Sequence, residues 1–198
     1  MSPRKKNILV TGPPGAGKTT LVEAVVRSLG VRPGGYVTKA FPARGRKIRC
    51  EIEALTPGVR RRRGVIASVD APGAFRVCGM GVDAAEIEAV GAAALENAAG
   101  SSPLIVMDEI GQMEIASPRF QEAVIACLDS ATPVLGVIKT ARGPFVDRIK
   151  ARPDIELVEL TEENRGAARE RVRGLLAALA GPGGSGCGAP RDTGETVC

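Results

Sequence analysis

Gly12-Pro13-Pro14-Gly15-Ala16-Gly17-Lys18-Thr19 satisfies the pattern G-x-x-x-x-G-K-[ST]. Glycines at these positions let the main chain curl until successive N–H groups point inward. A helix that follows adds its unpaired amides and the positive end of its dipole to the same concavity. Phosphates belong there. Lys18 supplies a point charge for the β and γ phosphates, and the Thr19 hydroxyl is placed to hold a magnesium ion bridging them; Thr20 is counted with the loop as a nucleotide-binding position. A tight Gly-Pro-Pro-Gly turn before a solvated helix is the plain alternative, but eight matched residues between a strand and a helix leave it little room. A dinucleotide fingerprint is rejected, because its third glycine is missing and Lys18-Thr19 stand in its place.

A second constellation is Leu104-Ile105-Val106-Met107-Asp108-Glu109, an apolar run that ends in two acids. Open α/β sheets bind ligands at the carboxyl ends of their strands, so the acids stand where a phosphate site would form. Asp108 would hold the magnesium through its water shell, opposite Thr19. Glu109 would orient or deprotonate the water that attacks the γ phosphorus. Without the glycine loop the same pair would be an ordinary sheet edge meeting solvent. The candidate catalytic residues are therefore Lys18 and Glu109, and the candidate metal ligands are Thr19 and Asp108. The chain contains no histidine. This excludes Ser-His and Cys-His couples and leaves a carboxylate, a lysine or backbone-held water as the base.

The elements that must position these residues are legible in outline. Asn7 to Thr11 reads as a strand and Lys18 to Leu29 as a helix with Leu21, Val25 and Leu29 on one face. Gly35 to Lys39, Lys47 to Leu55 and Val65 to Val69 read as strands of an antiparallel insertion, with a basic turn at Pro42 to Arg46 and a charged loop at Arg60 to Arg63. Asp83 with Glu86 resembles a capping box and opens a helix that runs to Ala99. Leu104 to Met107 has the length of a strand buried on both faces. Ser117-Pro118 starts a helix reaching about Asp129; Val134 to Ile138 is the next buried strand. A short helix around Phe145 to Lys150, a strand at Ile155 to Leu160 and a helix capped by Thr161 and ending at Ala180 complete an α/β alternation.

Within 198 residues, 44% hydrophobic and 25% charged, one folded domain fits over residues 1–180. The Gly-Pro-Gly-Gly-Ser-Gly stretch and polar remainder at 181–198 read as a disordered tail. No apolar run approaches the roughly 20 residues of a spanning helix, so a cytoplasmic protein with no membrane partner is expected. Five scattered cysteines (Cys50, Cys78, Cys127, Cys187, Cys198) without paired spacing read as free thiols. The net charge of +5 favours anionic ligands without choosing among them.

Gly12 to Thr19, Gly35-Tyr36-Val37-Thr38, Val82-Asp83, Asp108-Glu109-Ile110-Gly111-Gln112-Met113-Glu114 and Thr161-Glu162-Glu163-Asn164-Arg165 resemble, in order and spacing, the cancer-related nucleoside-triphosphatase family. The resemblance covers about residues 7 to 175, and D-E-I-G-x-M-E is its most specific string. It implies a P-loop NTPase with a RecA-like, mostly parallel sheet flanked by helices. The activity it implies is slow, magnesium-dependent hydrolysis of ATP, GTP and other nucleoside triphosphates. It also counts Leu104, Ile105, Val106, Met107, Asp108, Glu109, Ile110 and Gly111 as a second nucleotide-binding segment, of which the polar end should touch ligand. Relatives carry acids and then an arginine where this chain has Lys39-Ala40-Phe41-Pro42, and usually glycine where it has Cys78. Gly79-Met80 replaces a polar-aromatic pair.

Three readings share these residues. Hydrolysis is preferred. A P-loop kinase would use the same donor site but needs an acceptor pocket and a lid, for which Arg44 to Arg63 is the candidate. A nucleotide-operated module binding RNA or DNA ranks last, for want of a recognised nucleic-acid motif. Arg60 to Arg63 are a solvated loop or an arginine finger, and Arg165 either faces the nucleotide or opens the last helix. Tyr36, Phe41, Phe75, Phe120 and Phe145 are the aromatic residues, too few to stack firmly on a base, so loose base selectivity is expected, in a monomer.

Overall fold

The computed structural model describes residues 5–180 apart from 44, 73, 74 and 141. The segment 181–198, with Cys187 and Cys198, lies outside the described residues, as does Arg44.

Among the described residues one sheet holds β1 (Asn7–Thr11), β2 (Gly34–Ala43), β3 (Arg46–Ala54), β4 (Arg63–Ser68), β5 (Arg76–Val77), β6 (Met80–Val82), β7 (Ile105–Ile110), β8 (Val134–Ile138) and β9 (Ile155–Glu159). Their order is β5-β6-β4-β3-β2-β7-β8-β1-β9. From β2 to β9 neighbouring strands are parallel, while β3, β4, β5 and β6 pair antiparallel. The antiparallel segment expected as a small insertion therefore continues the same sheet. Its last hairpin, β5 and β6, is two and three residues long, too short to leave a periodic pattern in the sequence.

The parallel strands are apolar on both faces, as crossover connections require. Period-two alternation sends Leu9, Ile105, Met107, Val134 and Ile138 to one core and Ile8, Val10, Leu104, Val106, Leu135 and Val137 to the other. The first core is covered by α4 (Pro118–Asp129), α5 (Pro144–Lys150) and a helical run made of α2 (Ala84–Glu86), a π-helical stretch Ile87–Ala92 and α3 (Ala93–Ala98). The second lies under α1 (Lys18–Leu29) and α6 (Arg165–Ala180). Gly136 is packed so closely that a Cβ there would come within 2.8 Å of a Leu9 methyl.

Helix starts follow their caps. Asp83 accepts from the Glu86 amide and Ser117 from the Phe120 amide, with Pro118 in the first turn. One cap differs from expectation: α6 begins at Arg165 rather than at Thr161. The Asn164 side chain accepts from the Thr161 amide at 2.9 Å and donates to the Glu159 carbonyl at 3.0 Å, so residues 161–164 form a turn. Strand β7 also runs past Met107 to Ile110, which puts both acids inside the strand. No helix among the described residues is long and apolar enough to cross a membrane.

The start of β1 is tied down by polar contacts. Buried Asn7 donates to the Leu128 carbonyl at 3.0 Å and to Asp154 at 2.9 Å. Arg152 grips Asp154 through two bonds of 2.9 and 2.8 Å and reaches Asp129 at 2.7 Å. The Arg152 hydrogen bonds hold the Asp154 carboxyl below its ordinary value, against the opposing effect of burial. A carboxyl lowered in the folded state stabilises above its unfolded pKa, and that contribution is lost as pH falls through the folded value. Asp154→Ala should cost about 1–3 kcal/mol at neutral pH. The gap from wild type should begin to narrow at about pH 4 and close as pH falls further, through the lowered folded value; urea titrations at neutral pH and along this acid range test this, and a gap that stays constant would refute it.

Candidate nucleotide site

The loop from Gly12 to Gly17 joins β1 to α1 at the carboxyl edge of the parallel strands. Gly12, Gly15 and Gly17 have φ of 146°, 81° and 99°, values that residues with a Cβ rarely adopt. Gly17 caps α1 in the left-handed region with no side chain on the helix end, which leaves the first amides of α1 facing the loop. Lys18 bends back across it, its Nζ donating to the Gly12 and Pro13 carbonyls at 2.8 Å each. Two distant contacts brace the loop. The Leu160 amide donates to the Thr11 carbonyl at 2.8 Å, and a Cβ on Gly12 would lie 2.1 Å from the Leu160 carbonyl oxygen. Arg165 donates from Nε to the Ala16 carbonyl at 2.8 Å and from Nη2 to the Gly15 carbonyl at 3.3 Å. Arg165 therefore does more than open α6: it straps that helix to the loop's main chain.

Asp108 continues the face of β7 that carries Leu104 and Val106, which is the α1 side. There it shares a cavity with Thr19, whose hydroxyl favours the ionised form of its carboxyl. Asp108 is 2% exposed, and its Oδ2 has no hydrogen-bond partner. Burial pushes its carboxyl up to about 7; the Thr19 hydroxyl opposes the rise, Glu109 and Glu23 add to it, and the Lys18 charge lowers it. A buried carboxylate with one orphaned oxygen beside a hydroxyl is short of positive charge. A divalent cation would supply that charge, so Thr19 and Asp108 fit magnesium.

Glu109 reaches the same cavity through a bulge. Asp108 pairs with Val137 and Ile110 with Ile138, leaving Glu109 as the extra residue. In a regular strand successive side chains point to opposite faces; the bulge re-aims Glu109. Its main-chain carbonyl accepts from the Tyr36 hydroxyl at 3.2 Å, and its Oε1 pairs with Lys139 Nζ at 2.8 Å. The cavity, about 170 Å³, is lined by Thr19, Thr38, Lys39, Asp108, Glu109 and Lys139, among others. A second concavity of about 440 Å³ lies between α1 and α6, bounded by Gly15, Gly17, Thr20, Ala24, Leu160 and Arg165.

In the segment Leu104 to Gly111 the apolar residues are inside the sheet, as a strand buried on both faces implies. Leu104, Ile105, Val106, Met107 and Ile110 are 3% exposed or less and pack in the two cores, so Asp108 and Glu109 are the residues of the segment that line the cavity. The arginine run is also placed away from the site. It leads into β4, three strands from β7: Arg63 pairs with Glu53, Glu53 with Val37 and Val37 with Asp108. Arg61 pairs with Glu86, Arg62 with the Ala54 carbonyl and Arg63 with Glu53. Tyr36 is fully buried edge-on to Phe120, with centroids 5.3 Å apart, and Phe120 is core. Cys78 adopts φ 52°, which glycine would take without strain. Lys139 carried no sequence motif; its one signal was a cation directly after a buried strand at the edge where Asp108 lies.

The NTPase family model matches residues 7–173. This chain is a member of that family. Nucleoside-triphosphatase THEP1 of Thermotoga sp. (strain RQ2) is 37% identical over 169 residues, 85% of this chain and 94% of that protein. The human cancer-related nucleoside-triphosphatase is 35% identical over 176 residues, 81% of this chain and 90% of that protein. The crystal structure of THEP1 from Aquifex aeolicus superposes with a TM-score of 0.74 at 30% identity, over 86% of this chain and 98% of that one. The matched span, residues 7–173, contains both the loop and the cavity described above. Gly12→Ala should drive the new methyl into the Leu160 carbonyl and lower nucleotide affinity at least about tenfold, ~1.4 kcal/mol. Titration with a fluorescent nucleotide checks it; wild-type affinity would mean that the end of β9 does not brace the loop.

Proposed function

We propose that this chain is a nucleoside-triphosphatase that hydrolyses ATP, GTP and other nucleoside triphosphates to the diphosphate and phosphate, with Mg²⁺ as cofactor. The observation that carries the reading is the meeting of Thr19, Asp108 and Glu109 in one cavity beside the phosphate loop. In this reading Gly12 to Thr20 bind the phosphates through main-chain amides, and Lys18 exchanges the loop carbonyls for phosphate oxygens, which are stronger acceptors. Thr19 and Asp108 hold the metal, whose chemistry when bound is to neutralise charge on the phosphate oxygens. Glu109 accepts a proton from water as the water oxygen bonds the γ phosphorus and the bond to the β–γ bridging oxygen breaks.

The concavity between α1 and α6 suits the nucleoside. Among the described residues its lining contains no aromatic ring, carboxylate or side-chain amide to read a base edge, which supports broad base selectivity. A kinase is not favoured. From Arg46 to Arg63 the segment suggested as its lid consists of β3, the loop after it and the first residue of β4, held in the sheet rather than free to close. The arginines that a nucleic-acid module would present at Arg61 to Arg63 are paired within the fold. The loop, metal ligands and base all come from one chain, so a monomer suffices.

Phosphate release from ATP, GTP, CTP and UTP should occur with magnesium and stop with EDTA, without any acceptor. Lys18→Ala should abolish turnover. Glu109→Gln should keep nucleotide binding and lose roughly a hundredfold or more in kcat. An active Lys18→Ala protein, or release that persists in EDTA, would sink the assignment.

A further inference from the structure

Lys139 follows the last residue of β8 and is pinned on both sides of its peptide. Its amide donates to the Ile110 carbonyl at 3.0 Å, resuming the ladder just beyond the Glu109 bulge. Its carbonyl accepts from Lys150 Nζ, on α5, at 2.7 Å. From this fixed root the Lys139 ammonium reaches Glu109 Oε1 at 2.8 Å, with the two side chains 30% and 24% exposed. Both residues line the cavity that holds Thr19 and Asp108.

A glutamate on a bulge has three side-chain torsions to order before it can address a water, and misplacement by about 1 Å costs on the order of a hundredfold in rate. We propose that Lys139 is a positioning residue for the hydrolytic step: it holds one oxygen of Glu109 and so leaves the other aimed at the attacking water. The proposal rests on Glu109 acting as the base. Lys139 acts through Glu109: the ion pair it makes in the cavity, at 2.8 Å, is with that carboxylate. An ionised carboxylate accepts through both oxygens, so the clamp and the water do not compete for one atom. The half-buried setting weakens solvent screening, which lets a single ammonium hold the geometry.

The test is a double-mutant cycle on the full chain, with kcat measured by phosphate release and nucleotide affinity by titration. Lys139→Met should lower kcat about 10- to 100-fold while affinity stays within about twofold, which also serves as the folding control. Lys139→Arg, which keeps the cation, should recover most of the rate; a purely structural role for the alkyl stem would favour methionine instead. In a Glu109→Gln background, Lys139→Met should cost nothing further, because the group it positions is gone. A Lys139→Met enzyme with wild-type kcat overturns the proposal, and so does a further tenfold loss in the Glu109→Gln background, which would put the ammonium on the phosphate. If Glu109→Gln itself keeps wild-type turnover, the failure lies in the base assignment and carries the positioning role with it.

Discussion

A phosphate loop is main chain bent against itself, and most of this molecule serves to keep it bent. The left-handed glycines at 15 and 17 permit the curl, but permission is not stability; glycine loses more conformational freedom on folding than any other residue. Order has to come from outside the loop. Here it comes from β1, buried between β8 and β9, from the end of β9 pressed against Gly12, and from Arg165 bonded to two loop carbonyls. The amides that are left over point where a phosphate can use them.

That bracing explains the sheet order. Placing β1 between β8 and β9 brings the turn before α6 to one side of the loop, while β7, one strand further, carries Asp108 to the other. Two cores, one on each face, keep the five parallel strands in register, so that a strand-end acid arrives beside Thr19 by register alone. The antiparallel strands extend the first core through Cys50, Ile52 and Ile66. They also supply part of the cavity's wall, Cys50 and Ile66.

The two acids of the site are treated oppositely. Asp108 is buried with an oxygen unpartnered and a carboxyl raised to about 7, an environment that favours a cation's arrival. Glu109 already has its cation in Lys139. One acid is thus kept receptive to metal and the other kept in place, and the difference comes from a one-residue bulge that sends neighbouring side chains into one cavity.

The sequence by itself determined the phosphate loop, the Asp-Glu strand, the α/β alternation and family membership, because each is written in contiguous residues whose local geometry follows from glycine freedom, caps and alternation. Val134 to Ile138 was legible to the residue for that reason. The tertiary structure decided the rest. Arg165 on the loop, Lys139 on Glu109 and the pairing of Arg61 to Arg63 within the fold depend on which strands are neighbours and in what register, and no local pattern encodes that. The bulge at Glu109 is likewise a relation between β7 and β8. Contacts between residues 30 positions or 150 positions apart arise from packing two cores around one sheet, and only the folded chain brings them together.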